Sequence, residues 1–181
     1  MSRLYEYVVR SRGLARGHFE QKYAHPFLVV RHRKDAQNSQ WSFKTQTVSS
    51  GIYEASEALE QEGISVAPEV MEFEVFPVTK APDNPWPERI SIGRARNNDI
   101  VLLDNSVSKL HGHFVSAGAG SLALVDAGSR NGTKVGSERL KPSEPWVVAS
   151  GDTVTFGAAT LTFLSAGAMY DLIESYVTSP E

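Results

Sequence analysis

From about residue 70 to residue 165, short apolar runs and turn-forming residues alternate too quickly for a long helix to fit between them. The runs "RISIG", "IVLL", "GHFVS", "SLALVD", "TKVG", "PWVVA", "DTVTF" and "ATLTFL" are each bounded by Gly, Asn, Asp or Ser. Short strands at this spacing predict a β-sandwich. The last two, joined by Gly157-Ala158, read as a hairpin. Ahead of them, "MEFEVFPV" places Met71, Phe73 and Val75 on one face and Glu72 and Glu74 on the other, with Pro77 at an edge or strand end. The three prolines of "APDNPWPE" mark a surface connection.

The flanks read differently. "GAMYDLIESYV" spaces Met169, Leu172, Ile173 and Tyr176 for a short C-terminal helix that lays its apolar stripe on the sandwich. Towards the N-terminus, "RLYEYVVRS" fits a short helix or a strand, and "ARGHFEQKYA" fits a helix ending before Pro26. "PFLVVRH" and "WSFKTQTV" read as strands. "IYEASEALEQEG" reads as an amphipathic helix, with Ser50 as its cap and Gly63 as its stop. The expected organisation is therefore a small α+β extension over residues 1–68 that can pack on the sandwich, a mainly β sandwich over 69–165, and a helix and tail over 166–181.

With no cysteine in 181 residues there is no disulfide framework and no thiolate nucleophile, which suits a reducing compartment. Nowhere do about 18 uncharged apolar residues follow one another, so no membrane span is expected and the location expected is cytoplasmic. The net charge of −3 hides a gradient: residues 1–34 hold eight Lys/Arg against two Asp/Glu, and residues 35–92 hold three against ten. Such a basic arm is compatible with a nucleic acid or an acidic partner, but solvation and pairing with the acidic middle segment are the simpler expectation, and nucleic acid is not expected.

"SVSKLHGHF", residues 106–114, sets Ser108 three residues before His111 and raises the question of a nucleophile with its base. The glycine-flanked strand-to-helix elbow of such serines is absent, and in extended chain the two side chains point to opposite faces, roughly 10 Å apart. Asp126 and Asp152 are available for a triad assembled from distant parts, yet no catalytic role is expected. His111 and His113 lack a third ligand at metal spacing, so His111 is expected to be structural and neither metal nor cofactor is expected.

Three loop segments share a different property: each presents donors suited to an anion. "IGRARNND" turns after Gly93 and projects Arg94, whose guanidinium grips a phosphate with parallel hydrogen bonds. "NSVSKLH" supplies the Ser108 hydroxyl and the Lys109 ammonium, and "DAGSRNGT" supplies Arg130, the Asn131 amide and an Asn-Gly turn closed by Gly132. G-R, N-N-D-I, S-x-S-K-x-H and D-x-G-S-x-N-G-T, in this order, followed by the "SGDTVTFG" hairpin, resemble a forkhead-associated (FHA) domain of bacterial type over roughly residues 70–165.

That resemblance implies a sandwich of about eleven strands that binds phosphothreonine in a partner peptide through loops at one end. It implies that Arg94 and Ser108 bind the phosphate, with Lys109 beside it where the family often has arginine or asparagine. It places Arg130 beside the bound peptide and Asn131 on the peptide backbone, and it makes Gly93, His111 and Gly132 architectural. The family commonly has an asparagine before a glycine after "NGTKV"; this chain has Gly136-Ser137, so a differently shaped Val135–Glu138 turn is expected. The partners implied are threonine-phosphorylated proteins, a Ser/Thr kinase or its substrates. The alternative is a phosphate-independent interaction module using the sandwich or the N-terminal extension. Thr45 and Thr47 of "FKTQTVSS" are β-type residues that a kinase could turn into a ligand in cis.

Overall fold

The computed structural model describes residues 2–32, 63 and 66–177. The strand expected over "WSFKTQTV", the helix over "IYEASEALEQEG", and Thr45 and Thr47 lie outside the described residues.

Two sheets face each other. The elements in chain order are β1 (Ser2–Arg3), α1 (Leu4–Ser11), α2 (Arg16–Lys22), β2 (Phe27–Arg31), a 3-10 turn (Pro68–Glu72), β3 (Phe73–Pro77), β4 (Ile90–Gly93), β5 (Ile100–Val101), β6 (Gly112–Gly118), β7 (Ser121–Asp126), β8 (Thr133–Val135), β9 (Glu138–Arg139), β10 (Pro145–Val148), β11 (Thr153–Phe156), β12 (Ala159–Leu164) and α3 (Ala166–Glu174). One sheet runs β1-β3-β2-β12-β11-β8-β9 and the other β10-β7-β6-β4-β5. The fold is the mainly β sandwich expected, with twelve strands among the described residues where about eleven were anticipated. The hairpin is present too, with Phe156 opposite Ala159.

The N-terminal segment is more closely built in than an extension lying on the sandwich. β2 lies between β3 and β12, pairing Leu28 with Phe76 on one side and Phe163 on the other. The cause is legible in "FLVV", which is apolar on both faces, as a doubly covered strand must be. Leu28 joins Phe76, Phe114, Phe156 and Phe163 in the core between the sheets. Phe27 and Val29 join Leu4, Phe19, Met169 and Ile173 in a second core beneath the helices. The molecule thus has three layers, helices on sheet on sheet.

α1 buries Leu4, Tyr7, Val8 and Ser11, an i, i+3, i+4, i+7 stripe. α3 buries Met169 and Ile173 and meets α2 through the Phe19–Tyr170 ring contact and the Arg16–Asp171 pair at 2.9 Å. Several arginines of the basic arm are in ion pairs: Arg10 with Glu6, Arg16 with Glu20 and Asp171, and Arg31 with Glu72. Exposed pairs of this kind contribute little to stability. No helix among the described residues is long and apolar enough to cross a membrane.

One expected pattern fails. In β3 the simple alternation would put Glu74 in water, but Glu74 is buried and meets His32 Nε2 at 2.9 Å, and Phe76 beyond it is buried as well. A strand covered on both sides has no solvent face for its glutamate.

Candidate functional site

The five-stranded sheet and the β8–β11 end of its partner bring three loops together: residues 94–99 after β4, 102–111 before β6, and 127–132 between β7 and β8. Their backbones are tied directly. Arg94 N donates to Ser108 O (2.9 Å) and Ala95 N to Lys109 O (3.0 Å). Gly93 is required here by proximity: a Cβ on it would lie 2.4 Å from the Lys109 carbonyl oxygen. Gly93 also ends β4, where the sequence expectation has the chain turn.

His111 is the internal tie. It is fully buried against the edge of the Phe156 ring. Ser108 N donates to its Nδ1 at 3.1 Å, and a backbone N–H can only donate, so Nδ1 carries no proton. The proton is therefore on Nε2, which donates to Gly132 O at 3.2 Å. One neutral imidazole thus joins the second loop to the third, while the His111 backbone N–H donates to Ile92 O in β4.

Asp126, at the end of β7, lies 4.0 Å from His111 Nε2. Its carboxylate accepts from Gly128 N, Ser129 N and Ser129 Oγ, and from Thr133 Oγ1 at 2.5 Å. Burial pushes its pKa upward, but these donors outweigh burial and hold it below the usual carboxylate value. Asp126 is thus the clamp of the third loop. Since His111 turns its acceptor nitrogen to the Ser108 backbone, it has no base to offer the Ser108 hydroxyl, and these residues do not assemble as a triad.

The candidate ligand-binding side chains line the surface of this framework. Arg94 is exposed, and its Nε donates to Val107 O at 3.2 Å, which fixes the guanidinium and leaves its terminal nitrogens for another acceptor. Ser108 is half-buried; its Oγ accepts from Arg130 N at 3.0 Å, so its own proton remains to be donated outward. Lys109 is exposed, and its carbonyl is held by Asn98 Nδ2 at 2.7 Å. The Arg130 side chain is exposed as well; within the fold it is the Arg130 backbone N–H that matters. Asn131 spends one of its two amide N–H groups on Ser106 O at 2.7 Å, keeping the other and its carbonyl oxygen. Gly132 has φ +81 and carries the carbonyl that His111 holds.

Two supporting residues escape the sequence reading. Ser106 accepts Ala158 N on Oγ (2.8 Å), donates from the same hydroxyl to Asp104, and presents its carbonyl to Asn131. It also packs so closely on Gly157 that a Cβ there would come 2.5 Å from Ser106 O. Asn98 is buried and bridges the Ala95 and Lys109 carbonyls. The only signal available in advance was the run of small polar residues beside the candidate ligands. The Gly136-Ser137 connection is a two-residue hairpin turn with φ +59 at Gly136 and no positive φ at Ser137, the II′ pattern.

Residues 90–157 match the family model for the FHA domain. The chain carries an FHA domain. A glycogen accumulation regulator, GarA, of Mycolicibacterium smegmatis is 43% identical over 75 residues, spanning 41% of this chain and 45% of that relative. An oxoglutarate dehydrogenase inhibitor of Corynebacterium diphtheriae is 42% identical over 72 residues, spanning 40% of this chain and 48% of that relative. The chain thus spans about half the length of these curated relatives. Among solved structures, an FHA domain from Chlamydia trachomatis superposes with a TM-score of 0.42 at 21% identity, covering 50% of this chain and 84% of that one. Every sequence-predicted site residue of this FHA domain sits in the three tied loops or at their roots.

Burial pushes the His111 pKa below its ordinary value of 6.5, against the Gly132 carbonyl and Asp126, which favour protonation. Burial and the Arg89 charge lower His113 in the same sense. The unfolded chain therefore binds protons that the folded chain refuses once the pH falls below the unfolded value. Stability is complete above pH 6.5 and declines as the pH drops through it towards the depressed folded values. Thermal melts between about pH 7.5 and 5.5 are expected to show this decline; a melting temperature that stays level across that window would contradict it.

Proposed function

We propose that this protein is a non-catalytic adaptor that binds a threonine-phosphorylated segment of a partner through the three tied loops. In this reading Arg94 and the Ser108 hydroxyl hold the phosphate, with Lys109 beside it. Asn131 engages the peptide backbone, and Arg130 lies along the bound peptide. Gly93, His111 and Gly132 keep the loops in place. The observation that carries the reading is the match to the FHA family together with an anchored guanidinium and an outward-donating hydroxyl on loops whose backbones bond to each other.

The magnitudes suffice. A phosphothreonine brings close to two negative charges and three acceptor oxygens. Hydrogen bonds to charged groups contribute roughly 1.5–3 kcal/mol net, so a few of them approach the roughly 8 kcal/mol of a micromolar complex. Without the phosphate little remains, and the modification acts as the switch. The partner is accordingly a substrate of a Ser/Thr kinase, or the kinase itself. The related regulator and inhibitor are consistent with a signalling role in the cytoplasm.

Titration with paired phosphothreonine and unphosphorylated peptides tests this, and equal affinity for both members of each pair would refute it. Ser108→Ala is expected to weaken phosphopeptide binding by about tenfold or more, the loss of one charge-assisted hydrogen bond. Folding should be preserved, because within the fold the hydroxyl only accepts the exposed Arg130 N–H.

A further inference from the structure

The connection between β3 and β4 is more than a surface link. Its anchor is Asp99, whose side chain is wholly buried. That carboxylate accepts from Lys80 Nζ (3.1 Å), Ala81 N (2.7 Å), Asn84 Nδ2 (2.8 Å), Ser91 N (2.6 Å) and Ser91 Oγ (2.8 Å). Asn84 in turn accepts the Trp86 backbone N–H. A loop pinned at so many points, and stiffened by Pro82, Pro85 and Pro87, nevertheless leaves Trp86 58% exposed. The Arg89 guanidinium stacks over the indole at 4.5 Å, and Arg89 Nε is buried with no hydrogen-bond partner among the described residues.

Trp86 and Arg89 line a groove of about 490 Å³ whose other side is formed by Ala95, Arg96, Lys109 and Leu110. Its charged side chains are the cations Arg89, Arg96 and Lys109 and the single anion Asp83. The groove opens directly beside the proposed phosphate site. Ala95 and Lys109 follow Arg94 and Ser108 in the chain, and their backbones are bonded to each other at 3.0 Å.

We propose that this groove receives the acidic flank of the phosphothreonine segment. A carboxylate of the partner, within a few residues of its phosphothreonine, pairs with Arg89, and the adjoining chain lies on Trp86. Arg96 and Lys109 add long-range attraction. An extended chain advances about 3.3 Å per residue, so such a side chain reaches the groove while the phosphate stays in its site. The assignment rests on the phosphothreonine reading above and names the class of partner it selects, an acidic phosphopeptide.

The test is fluorescence-polarisation titration of the whole chain with phosphothreonine peptides carrying Asp and Glu on both flanks, their Asn and Gln counterparts, and unphosphorylated versions of each. The acidic flank is expected to tighten binding about tenfold, the scale of one charge-assisted hydrogen bond. Arg89→Gln and Trp86→Ala are expected to reduce that preference while keeping the requirement for phosphate. Equal affinity for acidic and neutral phosphopeptides would overturn the groove assignment and leave the phosphate reading standing; equal affinity with and without phosphate would remove both. Should Arg89→Gln unfold, as a melt would reveal, Trp86→Ala decides, since its side chain is largely in water: a preference that survives it overturns the proposal.

Discussion

Arg94→Ala is expected to reduce affinity for a phosphothreonine peptide by about 2–5 kcal/mol, from some thirtyfold to several thousandfold, the usual range when one partner of a desolvated charge pair is removed. The size follows from how the guanidinium is held. Its Nε is committed to Val107 O, so the planar group is oriented before any ligand arrives and loses little rotamer freedom on binding. The terminal N–H groups are then already oriented when the dianion arrives. Little should change in the unliganded fold, since the side chain is exposed and the loop is held by the Arg94 backbone N–H on Ser108 O. Arg94→Lys keeps the charge but not the fork or the Val107 anchor, and should recover only part of the affinity. Calorimetric titration beside a thermal melt measures both quantities. A variant that binds the phosphopeptide as tightly as the parent chain would mean the phosphate is held elsewhere, and would favour an interaction that ignores phosphorylation.

The reach of the sequence differs between the site and the scaffold for a physical reason. Arg94, Ser108 and Asn131 stand out as candidates in the sequence because their chemistry is local: a guanidinium after a glycine, a hydroxyl in a loop, an amide before a glycine. His111 is legible as structural because no ligand set surrounds it. The position of β2 is not legible. "FLVV" announces a strand covered on both faces, but nothing in five residues states that its neighbours will be β3 and β12. The same gap explains Glu74, whose place depends on His32 and on the covering layers rather than on the alternation of its own strand. Ser106, Asn98, Asp99 and Asp126 are hidden in a third way. Each is a small polar residue of a kind that is usually solvated in loops and becomes a clamp only in the fold: Ser106, Asn98 and Asp99 hold groups from other segments, and Asp126 gathers the turn that follows it. Asp99 also carries a pKa below its ordinary value: burial alone would raise it, and the Ala81, Ser91 and Lys80 donors reverse that effect.

The clearest separation of ligand contact from scaffold comes from His111→Ala, which is expected to destabilise the fold by about 3–5 kcal/mol and to weaken phosphopeptide binding together with it. Removing the ring leaves the Ser108 N–H without a partner, and an unsatisfied buried group costs about 1–3 kcal/mol, while the Gly132 carbonyl loses one of two donors and keeps Gly157 N at 3.0 Å. The vacated space beside Phe156 adds a cavity term, since interiors collapse only partly around a deleted side chain. The backbone bonds from His111 N to Ile92 O and from Ala127 N to His111 O survive the substitution, so the strand itself should persist while the Ser108 loop loses its tie to the third loop. His111→Gln, which can restore one of the two side-chain bonds, should recover part of the stability. Denaturant unfolding at pH 7.5 and at about pH 6 makes the comparison sharper: if this imidazole is the main group resisting protonation, the variant loses most of the decline in stability below pH 6.5. A midpoint and an affinity both close to those of the parent chain would show that the loops are held without the imidazole. Ser108→Ala, by contrast, should alter binding alone, because within the fold its hydroxyl only accepts the exposed Arg130 N–H, whereas the imidazole is buried and ties two loops together.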